Sequence, residues 1–558
     1  MNHQHYRPIP LIDLPDRTWP DQVLGQAPVW CSVDLRDGNQ ALVEPMGTDR
    51  KLMYFQALVR IGMKQIEVGF PAASQTDFDF LRLLIEGGHV PDDVTIQVLC
   101  QAREGQIRRT VQAVQGARRV ILHLYNSTSA LQRRVVFHLD RPEILAMAVQ
   151  GTRWVKEAAR ALAGTEVTYQ YSPESFTGTE LDFAAEVADA VVEAWDGRPG
   201  ERIILNLPAT VEMTTPNRYA DQIEWMHRHL RHRERVVLSV HTHNDRGCAV
   251  AATELAMLAG AERVEGTLFG NGERTGNVDL VTVALNLYTH GVDPGLDLSD
   301  LPALVALYEH CNRLPVPPRQ PYSGELVFTA FSGSHQDAIR KGLEARKREC
   351  NPVWEIPYLP IAPADVGRQY EPIIRINSQS GKGGLSFVLE HAYGYAVPKG
   401  LAASFSRIIQ EITDRTGVEL TPEAVFATFQ REYLSPGPLE LASFEMVRRS
   451  KDQCTVRAEV TGPERSLALV GSGNGPIDAF VHGLRQALGL ELKFQDYHEH
   501  ALGDGEGAQG VAYVQFLTPD GVPAWGVGQD EDIVVASLKA VLGGLNRILA
   551  TQAAAGAV

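Results

Sequence analysis

The chain has 558 residues, 44% of them hydrophobic and 22% charged, with a formal net charge of −16. That length implies about three domains or one large barrel with additions, and the composition excludes wholesale disorder. The acidic balance argues against a nucleic-acid or anionic-membrane partner, which would need clustered Lys and Arg. The six cysteines form no C-x-x-C pair and read as free thiols of a reducing cytoplasm. The N-terminus lacks an apolar h-region and no run approaches about 18 uncharged apolar residues, so neither a secretory signal nor a membrane span is expected.

Residues 1–27 are proline-rich without helical period and read as an arm. From residue 28, short β-branched runs alternate with longer helical patterns. The runs are Val29–Asp34, Lys64–Gly69, Thr95–Cys100, Arg119–Tyr125, Glu166–Tyr171, Arg202–Leu207, Arg235–His241 and Glu262–Leu268. Between them lie helix-like segments such as Arg50–Ile61, Pro142–Leu162 and Leu181–Ala194. This alternation implies a parallel sheet. Eight units predict an α/β chain with a (β/α)8 TIM barrel over 28–325, and no G-x-G-x-x-G follows the first run to favour a dinucleotide fold.

Beyond it, 333–348, 399–415 and 422–433 look helical, and Pro352, Pro357, Pro360 and Pro363 interrupt the chain. Residues 326–438 therefore read as a helical linker region ending at Ser435-Pro436-Gly437-Pro438. Residues 439–558 read as a separate C-terminal α+β domain with a weak internal repeat. A strand pair leads into a helix at Ala468–Leu488 and again at Trp525–Leu545. An offset of 57 aligns Val470 with Val527, Gly471 with Gly528, Ala479 with Ala536 and Leu488 with Leu545. A duplicated unit of this kind suits a small-ligand or dimer interface.

Reactive groups of a barrel sit at the C-terminal strand ends. Strand 1 ends in Asp34-Leu35-Arg36-Asp37-Gly38-Asn39-Gln40, strand 7 in His241-Thr242-His243-Asn244-Asp245, and Gly270–Asn277 follows strand 8. Closure makes these neighbours. His241 and His243, two apart on a strand, share a face. With Asp37 they make a two-His, one-carboxylate site with open positions, to which Asn277 adds an amide oxygen. Such a set suits a divalent metal acting as a Lewis acid. Each feature alone has an ordinary reading: H-x-H as hydrogen-bonded histidine, Asp-Gly as a turn. Their convergence on adjacent strand ends favours the metal.

The motifs LRDGNQ (35–40), HTHNDRG (241–247) and FGNGERTGN (269–277) resemble those of the 2-isopropylmalate synthase and homocitrate synthase family. EVGFPAASQTDFDF (67–80), YSPESFTGTELD (171–182), NLPATVEMTTPN (206–217), TAFSGSHQDAI (329–339) and NSQSGKGG (377–384) narrow the match to its longer, second class. The resemblance implies that Asp37, His241 and His243 hold the metal (Mg²⁺, Mn²⁺ or Zn²⁺), with Asn277 as a weaker ligand and a monovalent cation such as K⁺ as activator. It implies a condensation of acetyl-CoA with 3-methyl-2-oxobutanoate in leucine biosynthesis. Arg36, which cannot lose its proton, is expected to stabilise the developing oxyanion. Thr210 is expected to bind the substrate carboxylate, and His123, Ser172, Glu174 and Asn206 to line the pocket. His335 matches the histidine proposed to take the acetyl proton, supported by Glu273 and Tyr358 and supplied by the partner of a domain-swapped homodimer. The C-terminal domain resembles a regulatory domain binding leucine, with GSGNGPIDA (471–479) as a turn into a helix N-terminus that suits a carboxylate. Homocitrate or citramalate synthesis is the nearest alternative, followed by carbon–carbon cleavage on the same barrel and by an inactive amino-acid sensor.

Overall fold

Strand and helix alternate without a break through the first half of the chain, and the strands close on themselves. The computed structural model describes all residues except 1, 7–10, 331, 371–381, 417–419, 451–452, 464–465, 504–506, 519–521 and 557–558. Residues 377–381 of the NSQSGKGG motif thus lie outside the described residues. In chain order the elements are β1 (Val29–Ser32), α1 (Thr48–Arg60), β2 (Gln65–Gly69), α2 (Gln75–Glu86), β3 (Thr95–Gln101), α3 (Glu104–Ala113), β4 (Arg119–Ser127) and α4 (Arg141–Ala159). They continue as β5 (Glu166–Glu174), α5 (Leu181–Trp195), β6 (Ile203–Ala209), α6 (Pro216–His229), β7 (Val236–Thr242), α7 (Ala249–Leu258), β8 (Arg263–Gly266) and α8 (Leu280–Thr289). All eight strands form one closed parallel barrel, β1 pairing with both β2 and β8. The expected (β/α)8 barrel is therefore present.

Side chains alternate across each strand, and the alternation sorts them by chemistry. Ile66, Val68, Ile96 and Val98 are buried and apolar, while Glu67 and Gln97 between them are fully buried and polar. The polar set faces the barrel interior. Gln97 on β3 and Gln170 on β5 both donate to Glu265 on β8, strands that are not neighbours in the sheet. The helices begin at strong caps: Asp140 and Glu143 form a reciprocal capping box at α4, and Ser74 accepts from Asp77 N at α2. α9 (Leu301–Asn312) lies against α1. The N-terminal arm is tied down, Arg17 and Trp19 donating to Asp221 and Thr18 to Glu224, both carboxylates on α6. Residues Ile361–Gln369 cluster with this unit, where Tyr288 Oη donates to Asp365 at 3.0 Å.

The second unit comprises Thr329–Pro360 and Tyr370–Val558. It holds α10 (Gly333–Glu349), α11 (Lys382–Tyr393), α12 (Lys399–Thr416) and α13 (Pro422–Phe429). After them come β9 (Glu440–Ser450), β10 (Gln453–Thr461), β11 (Leu467–Gly473), α14 (Pro476–Leu488), β12 (Lys493–Leu502), β13 (Gln509–Leu517), β14 (Pro523–Asp530) and α15 (Ile533–Gly556). Two three-stranded antiparallel sheets result, β11-β10-β9 and β12-β13-β14. Each repeat is thus three strands and a helix, not a strand pair and a helix. Ala468–Leu488 and Trp525–Leu545 each open as a strand, because LALVGSG and PAWGVGQD carry small and apolar residues at period two where a helix lies flat on them. Alternate residues of β13 face opposite ways. Ala512, Val514 and Phe516 join the core with α14 and α15, while Val511 and Tyr513 pack with α11–α13.

The 57-residue offset is structural. A Cβ at Gly471 would lie 2.0 Å from Ala479 O, and one at Gly528 would lie 2.1 Å from Ala536 O. Both glycines let a helix backbone touch a strand. Gly528→Ala is therefore expected to destabilise this unit by about 3 kcal/mol, the upper end of overpacking penalties. Its urea midpoint should fall accordingly, and an unchanged midpoint would contradict the close contact. Within α15, Ile533–Gln552 is long and apolar enough to cross a membrane, yet half of it is buried inside the unit, where Leu538, Val541, Leu542 and Leu545 join the core.

Candidate active site

Immediately after β1 the chain winds tightly, the N–H groups of Arg36, Asp37 and Gly38 all donating to Val33 O at 3.2, 2.9 and 3.1 Å. This turn delivers Arg36 and Asp37 to the C-terminal mouth of the barrel. Arg36 Nε donates to Glu67 at 2.5 Å and its Nη1 to Asp37 Oδ1 at 2.6 Å. Glu67, fully buried on β2, also accepts from Gln97 at 3.0 Å and lies 2.8 Å from His123 Nδ1. His123 Nε2 reaches Ser172 Oγ at 2.7 Å, to which Asn206 Nδ2 donates at 3.1 Å. Glu174 follows at the end of β5.

β7 presents His241 and His243 with stacked imidazoles, ring centroids 5.2 Å apart. Nε2 of His241 is 3.8 Å, and Nε2 of His243 3.9 Å, from Asp37 Oδ2. Candidate ligand atoms of Asp37, His241 and His243 all lie within 4.8 Å of one another, and all three residues are buried. Asn277 braces the group: its Oδ1 lies 2.7 Å from His241 Nε2, and its Nδ2 donates to Asp37 Oδ2 at 2.8 Å and to Asn271 O at 2.9 Å. The loop carrying it is tightly folded. Gly276 has φ +98°, and a Cβ there would lie 1.9 Å from Gly270 O, so only glycine fits.

Burial alone would raise the Asp37 carboxyl, but Arg36 and the two histidines outweigh it and hold Asp37 well below the usual carboxylate range. Burial would likewise lower His241; the negative charges of Asp37 and of the hydrogen-bonded Glu265 reverse that and push it up to about 10. His243 is brought down to about 4 by burial and by the neighbouring His241 charge. The cluster thus favours a positive charge among an anionic carboxylate and two imidazoles. Its second imidazole stays neutral with Nδ1 buried and without a hydrogen-bond partner among the described residues. Such a donor set fits a divalent cation.

A cavity of about 380 Å³ opens over this cluster. Arg36, Asp37, His123, Ser172, Glu174, Asn206, Thr210, His241, His243 and Glu273 line it, with Phe70, Leu99 and Pro208 as apolar wall. Burial raises the Glu174 carboxyl. Thr210 Oγ1 accepts the Ser175 N–H at 2.9 Å, which leaves its hydroxyl proton free to donate. Gln40 Nε2 lies 3.4 Å from Glu273. Arg274 spans the rim, donating to Asp245 at 2.6 Å and to Thr210 O at 2.6 Å. His335 and Tyr358 belong to the second unit, where their rings stack at 3.9 Å and both are exposed. Sequence reasoning missed Glu67, Gln97, Arg263 and Glu265. The one available signal was a polar letter at an inward position of an otherwise apolar strand.

The second unit has its own cavity of about 330 Å³ at the start of α14, lined by Ile477, Asp478, Val481, Arg485, Phe494 and Tyr497 among others. Asp478 accepts the Asn474 N–H at 2.9 Å, so the chain's own carboxylate takes one of the donors in that glycine-rich turn.

Three family models match along the chain: HMGL-like over residues 27–307, alpha-isopropylmalate synthase post-catalytic domain-like over 325–390, and LeuA allosteric (dimerisation) domain over 419–549. A 2-isopropylmalate synthase of Ralstonia nicotianae is 56% identical over 99% of this chain and 96% of its own length. One of Rhodospirillum rubrum is 57% identical over 97% and 98%. An HMG-CoA lyase structure from Brucella melitensis aligns with 52% of this chain and 100% of its own at 20% identity and TM-score 0.42. Identity this high over nearly the full length, with all three family models in order, places the chain in the 2-isopropylmalate synthase family.

Proposed function

We propose that this chain joins the acetyl group of acetyl-CoA to 3-methyl-2-oxobutanoate and releases 2-isopropylmalate and CoA. The observation that carries this reading is the Asp37, His241 and His243 cluster at the floor of the cavity with Arg36 against it. A divalent cation held by those three residues supplies Lewis-acid polarisation of the 2-oxo group. Arg36 is clamped by Glu67 and Asp37, so its guanidinium is oriented before substrate arrives and needs no reorganisation to meet oxyanion charge. Thr210, its oxygen committed to Ser175 N–H, donates its proton to the substrate carboxylate. Phe70, Leu99 and Pro208 suit an isopropyl group better than the second carboxylate of 2-oxoglutarate.

His335, stacked on Tyr358, takes a proton from the acetyl methyl group, with Glu273 supporting the imidazolium. The dyad reaches the cavity from a second copy of the chain. The methyl carbon then bonds to the keto carbon, whose oxygen becomes an alkoxide facing Arg36. Water hydrolyses the thioester, and the free thiol leaves. Leucine occupies the second-unit cavity, its ammonium on Asp478, its carboxylate on Arg485 and its side chain on Val481 and Phe494.

Thiol release from acetyl-CoA tests the reading. Turnover with 3-methyl-2-oxobutanoate should exceed that with pyruvate or 2-oxoglutarate and should fall when leucine is added. The isopropyl group has two more carbons than the methyl of pyruvate, and each methylene in an apolar pocket discriminates by about 10–200-fold, so a clear preference for pyruvate or 2-oxoglutarate would overturn the acceptor assignment.

A further inference from the structure

Glu265 takes no part in the chemistry above, yet it is fully buried inside the barrel and is the most heavily bonded carboxylate there. Its Oε1 accepts from Gln170 Nε2 at 2.7 Å, Arg263 Nη1 at 2.8 Å and Gln97 Nε2 at 3.0 Å. Its Oε2 accepts from Asn206 Nδ2 at 3.1 Å and lies 3.0 Å from His241 Nδ1. Arg263 carries the compensating charge and is itself held by Gln65 at 2.6 Å, Gln97 Oε1 at 2.7 Å and Ser239 at 2.8 Å. A carboxylate pinned in this way is an acceptor only. The imidazole facing it must donate through Nδ1, which turns Nε2 toward Asn277 Oδ1 at 2.7 Å and Asp37 Oδ2 at 3.8 Å, the two oxygens that a cation displacing the Nε2 proton would meet there.

We propose that Glu265 is a positioning residue for the metal: it locks His241 with the proton on Nδ1, so that the Nε2 lone pair is the one offered to a divalent cation. This rests on the reading of Asp37, His241 and His243 as the metal ligands. Gln97 extends the device. Its amide nitrogen also donates to Glu67 at 3.0 Å, so one buried polar layer orients both His241 and the Glu67 that clamps Arg36. A layer serving stability alone would be replaceable by apolar side chains of similar volume. Here Gln97, Asn206 and Glu265 instead bond to Glu67, Ser172 and His241, the groups that clamp Arg36 or line the cavity.

Glu265→Gln preserves size but sets an NH₂ against a ring of donors. His241 then accepts at Nδ1 and carries its proton on Nε2. Mn²⁺ binding, measured by competition with a chelating dye, should weaken by about 10–100-fold, the usual effect of removing such a partner. Turnover at saturating Mn²⁺ should fall far less than the metal requirement rises. A folded Glu265→Gln protein with wild-type Mn²⁺ affinity would overturn the proposal, while loss of Mn²⁺ by Asp37→Asn in the same experiment would keep the metal reading intact. Wild-type protein that binds no Mn²⁺ would overturn both. Should the variant not fold, a crystal structure of the Zn²⁺-loaded wild type decides. Nε2 of His241 on the ion with Glu265 at Nδ1 supports the proposal, and Nδ1 on the ion overturns it.

Discussion

Asp37→Ala is expected to lower the turnover number for acetyl-CoA condensation by about three to four orders of magnitude, the equivalent of several kcal/mol of lost Lewis-acid stabilisation at 1.36 kcal/mol per decade. The effect is this large because Asp37 serves two groups at once. It contributes the carboxylate of the cluster with His241 and His243 that could hold a metal ion, and it receives Arg36 Nη1 at 2.6 Å. Removal therefore takes away a ligand and frees the guanidinium together. The variant should still fold, since the barrel's apolar layer lies on the opposite side of the strands. The check is single-turnover thiol release alongside metal content. Residual turnover within tenfold of wild type would show that Asp37 is not a ligand.

Arg36→Lys should cost about 10²–10³ in turnover, as removal of an oxyanion donor does elsewhere, with a much smaller change in KM for the 2-oxoacid. A lysine keeps the charge but offers one nitrogen in place of the planar fork. Arg36 uses two separate nitrogens, Nε on Glu67 at 2.5 Å and Nη1 on Asp37 at 2.6 Å, and no single ammonium spans both. An equal loss appearing only as raised KM would point to a ground-state binding role instead.

Much of this site is legible in the sequence because its signals are local. His241 and His243 sit two apart on a strand, so their common face follows from pleating alone. The eight strands announce themselves as β-branched runs, and closure then brings the ends of β1, β7 and β8 together. The buried polar layer is illegible for the opposite reason. Gln97 and Glu265 are 168 residues apart, and Gln97 and Arg263 are 166 apart. Each appears in the sequence as one polar letter in an apolar strand, and only the closed barrel supplies its partner. The third strand of each C-terminal repeat is hidden similarly. Glycines that weaken a strand by propensity are tolerated at Gly471 and Gly528 because a helix backbone occupies the space where a Cβ would stand. The stacking of His335 on Tyr358 likewise depends on how the chain turns between them, which no periodicity encodes.

Metal dependence is the most direct test of the whole account. Purified chain would be assayed for thiol release from acetyl-CoA with 3-methyl-2-oxobutanoate, then treated with chelator, assayed again, and finally re-supplied with Mn²⁺. The cluster of Asp37, His241 and His243 predicts that turnover falls to background after chelation and returns with about one ion bound per chain. Undiminished condensation by protein shown to be free of divalent metal would contradict it.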